Sequence, residues 1–254
     1  MNDNKIDFSI FNIRKSILIY KLLFSIISLL FIGIAIAFNN LAGLGNDPVS
    51  VFLDGVKNIV VSVSQVNDSN ALSIATNLIS VVLFVFILVV KRKYINIGTI
   101  VYCILLGSFI GFGVNLYSFL GLRLDYLSSI QILSNLFSGR GINGLEFVSQ
   151  LIISAIACLM LFFGLAILIS LDIGPDPFTG LAMILSDFTK RPFKVTKVIL
   201  DISFFVIGWI LGGEVGLVTI IAALSGGPLI HFFVLLLKKT NLEVFNSESL
   251  KDSW

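Results

Sequence analysis

Apolar residues in this chain do not alternate and do not follow a single helical stripe. They come in unbroken runs near residues 17–38, 71–90, 97–120, 147–170, 195–211 and 215–237. A run of about 20 apolar residues, as a helix, spans the roughly 30 Å hydrocarbon layer of a bilayer. Six membrane-spanning helices are therefore expected. Two shorter segments, 48–63 and 177–190, each follow an apolar run and open on a polar turn, "LGNDPVS" at 44–50 and "DIGPDPFTG" at 172–180.

Both turns read Gly-x-Asp-Pro, then an apolar residue, then Ser or Thr. Asp is a preferred helix N-cap and proline suits the first helical position, so each motif predicts the end of one helix and the start of another. The two short helices should be about 24 Å and 21 Å long at 1.5 Å per residue. Neither length spans a bilayer comfortably.

The two motifs belong to a longer correspondence. An offset of 129 residues pairs Gly45 with Gly174, Asp47 with Asp176 and Ser50 with Thr179. Further on, an offset of 120 pairs Thr76 with Thr196, Thr99 with Thr219, Gly107 with Gly227 and Ile110 with Ile230. The change of offset falls at the polar stretch "VSVSQVNDS" (61–69). This predicts an all-α polytopic membrane protein of two repeats, each with three transmembrane helices and one short Asp-Pro-capped helix. The expected division is a first repeat at 17–120, an extracytoplasmic linker at 121–146, a second repeat at 147–238 and a cytoplasmic tail at 239–254.

Charge sets the orientation. With the short helices re-entrant or interfacial, every Lys and Arg except Lys57, Arg123 and Arg140 falls on one side. Basic clusters next to span ends face the cytoplasm, so the "KRK" at 91–93 and both termini are expected inside. Three spans per repeat make the halves inverted. Eight spans, with both short helices crossing, is the competing arrangement, and it puts "KRK" outside.

Composition agrees with this class: 57% of the 254 residues are hydrophobic and 13% charged, against about 25% charged in soluble domains. Mean hydropathy is +1.02. A net charge of +2 gives no reason to expect a nucleic-acid partner. Cys103 and Cys158 lie inside apolar runs, which indicates no disulfide framework. One histidine and two separated cysteines make no zinc site, and no cofactor is expected. The first run, with Lys15 and Lys21 before it and Ala35-Ile36-Ala37 within it, imitates a signal peptide. As part of the first repeat it is read as a retained span.

The turn after the first span, together with "LGGEVGLVTIIAALSGGPLIHFF" (211–233), resembles the YczE/YyaS/YitT family of bacterial membrane proteins, nearest to its YczE-like branch. The resemblance covers roughly residues 17–238 and implies a bacterial plasma-membrane location and this repeat. It supplies no substrate. The position where the family often carries an acidic residue, after Gly-Pro-x-Ile, is His231 here.

Candidate ligand-binding residues follow from polarity inside apolar surroundings. Asp47 and Asp176 are structural caps on one reading. On the other they sit at two half-helix starts near the repeat interface, as in transporters with discontinuous helices. Lys197 and Asp201 are four apart on one helical face, and intramembrane carboxylates tend to be functional. His231, Asn77 and Thr196 complete the set; Asn77 and Thr196, like the matched Thr76, are more often interhelical hydrogen-bonding residues than ligands.

Several catalytic patterns are incomplete. "GRGING" (139–144) follows no strand, "GLGND" (43–47) carries an extra Asn for an intramembrane aspartyl-protease motif, and Ser225 with His231 lacks a nucleophile elbow. No P-loop is present. An enzyme is therefore not expected. The expectation is a secondary transporter or permease-like protein for a small solute, in contact with membrane lipids. The alternative is a non-transporting regulator or scaffold. A transporter should gather polar residues in a cavity between the repeats; a scaffold should fill that space with apolar packing.

Overall fold

A computed structural model describes residues 15–64, 68–127 and 144–240, with side chains at 17–64, 70–120 and 150–240. The described residues form eight α-helices and no strand: α1 (Lys15–Ala42), α2 (Pro48–Ser64), α3 (Asp68–Val90), α4 (Ile97–Leu127), α5 (Gly144–Leu171), α6 (Pro177–Thr189), α7 (Phe193–Ile210) and α8 (Leu217–Lys238). A 3-10 turn at Arg92–Tyr94 joins α3 to α4.

Among the described residues, five helices are long and apolar enough to cross a membrane: α1, α3, α4, α5 and α8. Their outward faces carry large exposed apolar side chains, such as Val81, Val85 and Val89 on α3 and Ile220, Ile221 and Leu224 on α8. In water such surfaces would aggregate; against lipid tails they are solvated. The chain is a multi-pass membrane protein.

The expected sixth run, 195–211, lies largely within α7, which is not among the five. Helix α7 has 18 residues and carries Lys194, Lys197 and Asp201 in its first half, so it falls outside the long apolar class. The linker is corrected: 121–127 continue α4 and 144–146 begin α5, while 128–143 lie outside the described residues, as does most of "GRGING". The polar stretch 61–69 is largely the end of α2 and the start of α3. Of the tail, only Lys239 and Thr240 are described.

The contact registers fix relative helix directions. Between α1 and α5, Lys21 Nζ donates to the Leu171 carbonyl at 2.7 Å, Ser28 Oγ to Gly164 at 2.6 Å, and Asn39 Nδ2 to Cys158 Sγ at 3.7 Å. Numbers rise on one helix as they fall on the other, so α1 and α5 are antiparallel. Along α1 and α4 they rise together: Gly33 lies on Phe109 and Gly113 on Ala37. These two are parallel. Likewise α8 follows α5, with Gly226 on Phe162 and Leu237 packed with Ile167 and Leu171.

Packing is tight where glycine removes a side chain. A Cβ on Gly208 would meet the Phe52 backbone at 2.6 Å, which is why α2 and α7 lie backbone to backbone. The same device joins α1 to α4 through Gly33 and Gly113. Small residues permit such approaches between membrane helices, where apolar burial offers no preference over lipid. The main core, including Leu29, Ile32, Leu53, Leu106 and Phe178, runs through the middle of the bundle.

Candidate functional site

The two Asp-Pro turns have matching geometry. Gly43 and Asp172 have φ of 68° and 49°, and Gly45 and Gly174 have φ of 96° and 119°. The φ of Gly45 and Gly174 lies where a Cβ is strained. A side chain there would also collide with the start of a neighbouring helix: Gly45 faces Gly216 and Thr219, and Gly174 faces Asn96 and Thr99. One residue earlier in each turn, the carbonyl accepts from a helix start, Val218 N to Leu44 at 3.0 Å and Gly98 N to Ile173 at 3.1 Å. Every one of these pairs obeys the offsets of 129 and 120 read in the sequence.

Each turn folds the chain back into the bundle. Beyond Ile173, the carbonyl of Pro175 accepts from Thr99 Oγ1 at 2.7 Å. Asp176 then lies within electrostatic reach of Tyr102 and Cys103, about 8 Å inward from the start of α4 at 1.5 Å per residue. Asp47 lies within electrostatic reach of the same Tyr102 and of Cys158, halfway along α5. Both short helices therefore begin in the interior, around Tyr102, which is buried.

From there they run outward in opposite directions. Helix α6 packs Gly180 and Ile184 on Ile87 of α3, and Asp187 in its last turn bonds Lys91 and Tyr94. Helix α2 follows α7, with Phe52 and Phe204 rings 4.9 Å apart, and Asn58 Nδ2 donates to the Gly212 carbonyl at 2.8 Å.

The two caps are chemically unequal. Asp176 Oδ1 accepts from Phe178 N and Thr179 N, each at 3.0 Å. Asp47 accepts only from Ser50 N, at 3.4 Å. Beside it, Asn46 is 1% exposed and neither side-chain amide atom has a hydrogen bond; Asn39, equally buried, has an unpartnered Oδ1. A buried polar atom without a partner costs about 1–3 kcal/mol, and such groups call for a specific explanation.

On the α2 side, a buried ionic cluster ties three segments together. Asp54 pairs with Lys57 at 2.8 Å and accepts from Asn40 Nδ2 at 2.6 Å and from the Glu214 backbone N–H at 2.7 Å. Sequence reasoning did not single out Asn39, Asn40, Asn46, Asp54 or Lys57. Their signal was the Asn39-Asn40 pair ending an apolar run and the i, i+3 Asp54/Lys57 pair on a short helix.

The remaining candidates are dispersed. Lys197 Nζ bonds Asp201 Oδ1 at 2.6 Å, and Asp201 is within electrostatic reach of Asp47 and Asp176. Thr196 and Thr76 are buried with their hydroxyls turned back to their own helices, at Pro192 and Leu72. Asn77 lies at the α3–α4 contact against Gly107, with Oδ1 buried and unpartnered. His231 lies on the exposed side of α8, off the inward stripe of Val218, Ala222, Gly226 and Val234.

At the α6 end, Asp187 sits among Lys91 at 2.7 Å, Lys93 at 3.1 Å and Tyr94. The Lys91 hydrogen bond, with those of Tyr94 and Lys93, holds the Asp187 carboxyl well below the usual carboxylate range. The Asp187 bond raises Lys93 in turn.

Comparison with known proteins finds a match over residues 19–234 to a family described as of unknown function, DUF6198. The chain is 26% identical over 211 residues to a Bacillus subtilis protein, uncharacterized protein YyaS, covering 82% of this chain and 89% of that one. It is 33% identical over 86 residues to an uncharacterized protein of Haemophilus influenzae, covering 34% of this chain and 39% of the other. These matches agree with the resemblance read from the turns and the 211–233 segment. No solved structure matches the chain.

Proposed function

The chain belongs to the DUF6198 family, and from that premise we propose that it is a bacterial plasma-membrane secondary transporter or permease for a small polar solute. It is built of two inverted copies, with α1–α4 corresponding to α5–α8. The matched interior turns carry this reading. Equal offsets relate their dihedral angles, their carbonyl bonds and their glycine contacts, and the antiparallel run of α1 against α5 is what an inverted pair requires.

In this reading α7 is the sixth crossing and the two short helices are half-spans. Broken helices whose N-termini meet near the midplane offer backbone N–H groups and polar side chains to a solute where regular spans offer none. The basic end of the bundle, with Lys91, Arg92, Lys93, Lys190, Arg191, Lys194, Lys238 and Lys239, faces the cytoplasm. No catalytic role is assigned to any residue.

A membrane scaffold or regulator is the second reading. One observation favours it: Phe178, Leu53 and Leu106, all fully buried, fill the region between the halves, as apolar packing rather than a polar cavity. A transporter has this packing only in an occluded state.

Cysteine accessibility separates the two. Ser50→Cys and Thr179→Cys, in a variant lacking Cys103 and Cys158, place a thiol in the first turn of each half-helix. A transporter lets a small charged thiol reagent reach these positions from water in intact cells or inside-out vesicles. Inertness of both thiols from both sides would leave only the scaffold.

A further inference from the structure

The second copy of the fold-back turn is self-sufficient, and the first is not. Asp176 spends one carboxylate oxygen on two backbone N–H groups at 3.0 Å. Asp47 has a single long bond, 3.4 Å, from Ser50 N. Asn39 Nδ2 donates to Cys158 Sγ of α5 at 3.7 Å, and Asp47 lies within electrostatic reach of the same thiol. Asn39 Oδ1 and Asn46 Oδ1 are both buried without a partner. At the offset of 129, the second copy has Leu168 and Pro175 where the first has Asn39 and Asn46. The two carboxamides are thus additions to the first copy, beyond what the turn itself needs.

Of the other carboxylates near the turns, Asp176 has no ion pair but caps two backbone N–H groups, and two more have a lysine. Asp54 has Lys57 and two N–H donors; Asp201 has Lys197. Asp47 has no ion-pair partner within reach among the described residues. A carboxylate and two carboxamide oxygens form a hard, oxygen-only donor set with one negative charge. Such oxygens suit a hard cation, and a single carboxylate neutralises one charge, whereas divalent ions of this class take more oxygens and more charge. We infer that Asn39, Asn46 and Asp47 form a binding site for a monovalent hard cation of the sodium class, present in the first copy alone. Cation binding stands apart from the transport reading; the role of that cation as a coupling ion rests on it.

Sodium alone is the probe. The detergent-purified protein is unfolded thermally in sodium chloride and in choline chloride at equal ionic strength, with lithium and potassium chloride alongside. Sodium 100-fold above its Kd should raise the midpoint by about 5 °C over choline. Asp47→Asn and Asn39→Leu, the latter installing the second copy's own residue, should remove the shift, and Asp176→Asn should keep it. Asn46→Ala is the further variant should Asn39→Leu not fold. Identical midpoints in all four salts would overturn the site. So would a shift that survives in Asp47→Asn, or a midpoint that follows pH and ignores the cation. A sodium shift in a protein whose Ser50→Cys and Thr179→Cys thiols are inert would keep the site and reject transport.

Discussion

At the residue scale, two ion pairs of similar exposure differ in what surrounds them. Lys197 and Asp201, bonded at 2.6 Å and partly exposed, share their helix with exposed Val198, Ile199 and Ile202, a surface that lipid tails rather than water would cover. Removing one partner leaves a charge in poor solvent, while removing both does not. Lys197→Met with Asp201→Leu should therefore unfold at a higher temperature than either single variant in detergent. A double variant less stable than both singles would show that the pair does more than neutralise itself. At the surface, the depressed Asp187 carboxyl stabilises the fold at any pH above the ordinary carboxylate range, and this is lost as pH falls through its folded value. Exposed pairs are worth only about 0.2–1 kcal/mol. The midpoint of Asp187→Asn should lie slightly below wild type at neutral pH, and the gap should close below about pH 4. A gap that widens in acid would contradict the assignment. For His231, the helix stripe gives what residue chemistry alone does not. The 218, 222, 226 spacing, completed by 234, marks the inward stripe of α8, and 231 falls off it.

At the scale of elements, Gly-x-Asp-Pro was sufficient to place both short helices within a residue of where they lie, 48–64 and 177–189. The chemistry is local: the cap carboxylate and proline act within one turn. Burial within the short helix was not legible. Asp54 and Lys57 would be ordinary solvated residues on an interfacial helix; the α7 contact through Gly55 and Gly208, with Asn40 and the Glu214 backbone, encloses them. That contact depends on absent side chains. Gly208→Ala must push a methyl into the Phe52 backbone, and overpacking of this kind costs about 1–3 kcal/mol. Gly227→Ala has open space, with nothing within 4 Å of the new Cβ. Thermal unfolding of the two variants should separate them, with Gly208→Ala lowered and Gly227→Ala near wild type. Equal midpoints would mean that α2 and α7 do not pack as described.

For the whole molecule, unbroken apolar runs predicted an all-helical membrane protein, and the paired motifs are the basis on which we propose which helices correspond. The direction of the short helices was beyond the sequence, because a 17-residue apolar segment is compatible with a tilted crossing or a half-span. The start of each short helix within electrostatic reach of Tyr102, and the loop contacts at its other end, support the half-span that we propose. The central claim, that both short helices start in the interior and leave by the side opposite their twin, fixes where the α2–α3 and α3–α4 connections lie. Single cysteines at Ser64 and Arg92, in a variant without Cys103 and Cys158, report this directly when intact cells meet a membrane-impermeant thiol reagent. Half-spans with a cytoplasmic basic end predict labelling of Ser64→Cys from outside and protection of Arg92→Cys until the cells are opened. Labelling of Arg92→Cys in intact cells, with Ser64→Cys protected, would mean that the short helices cross the membrane and would contradict the account.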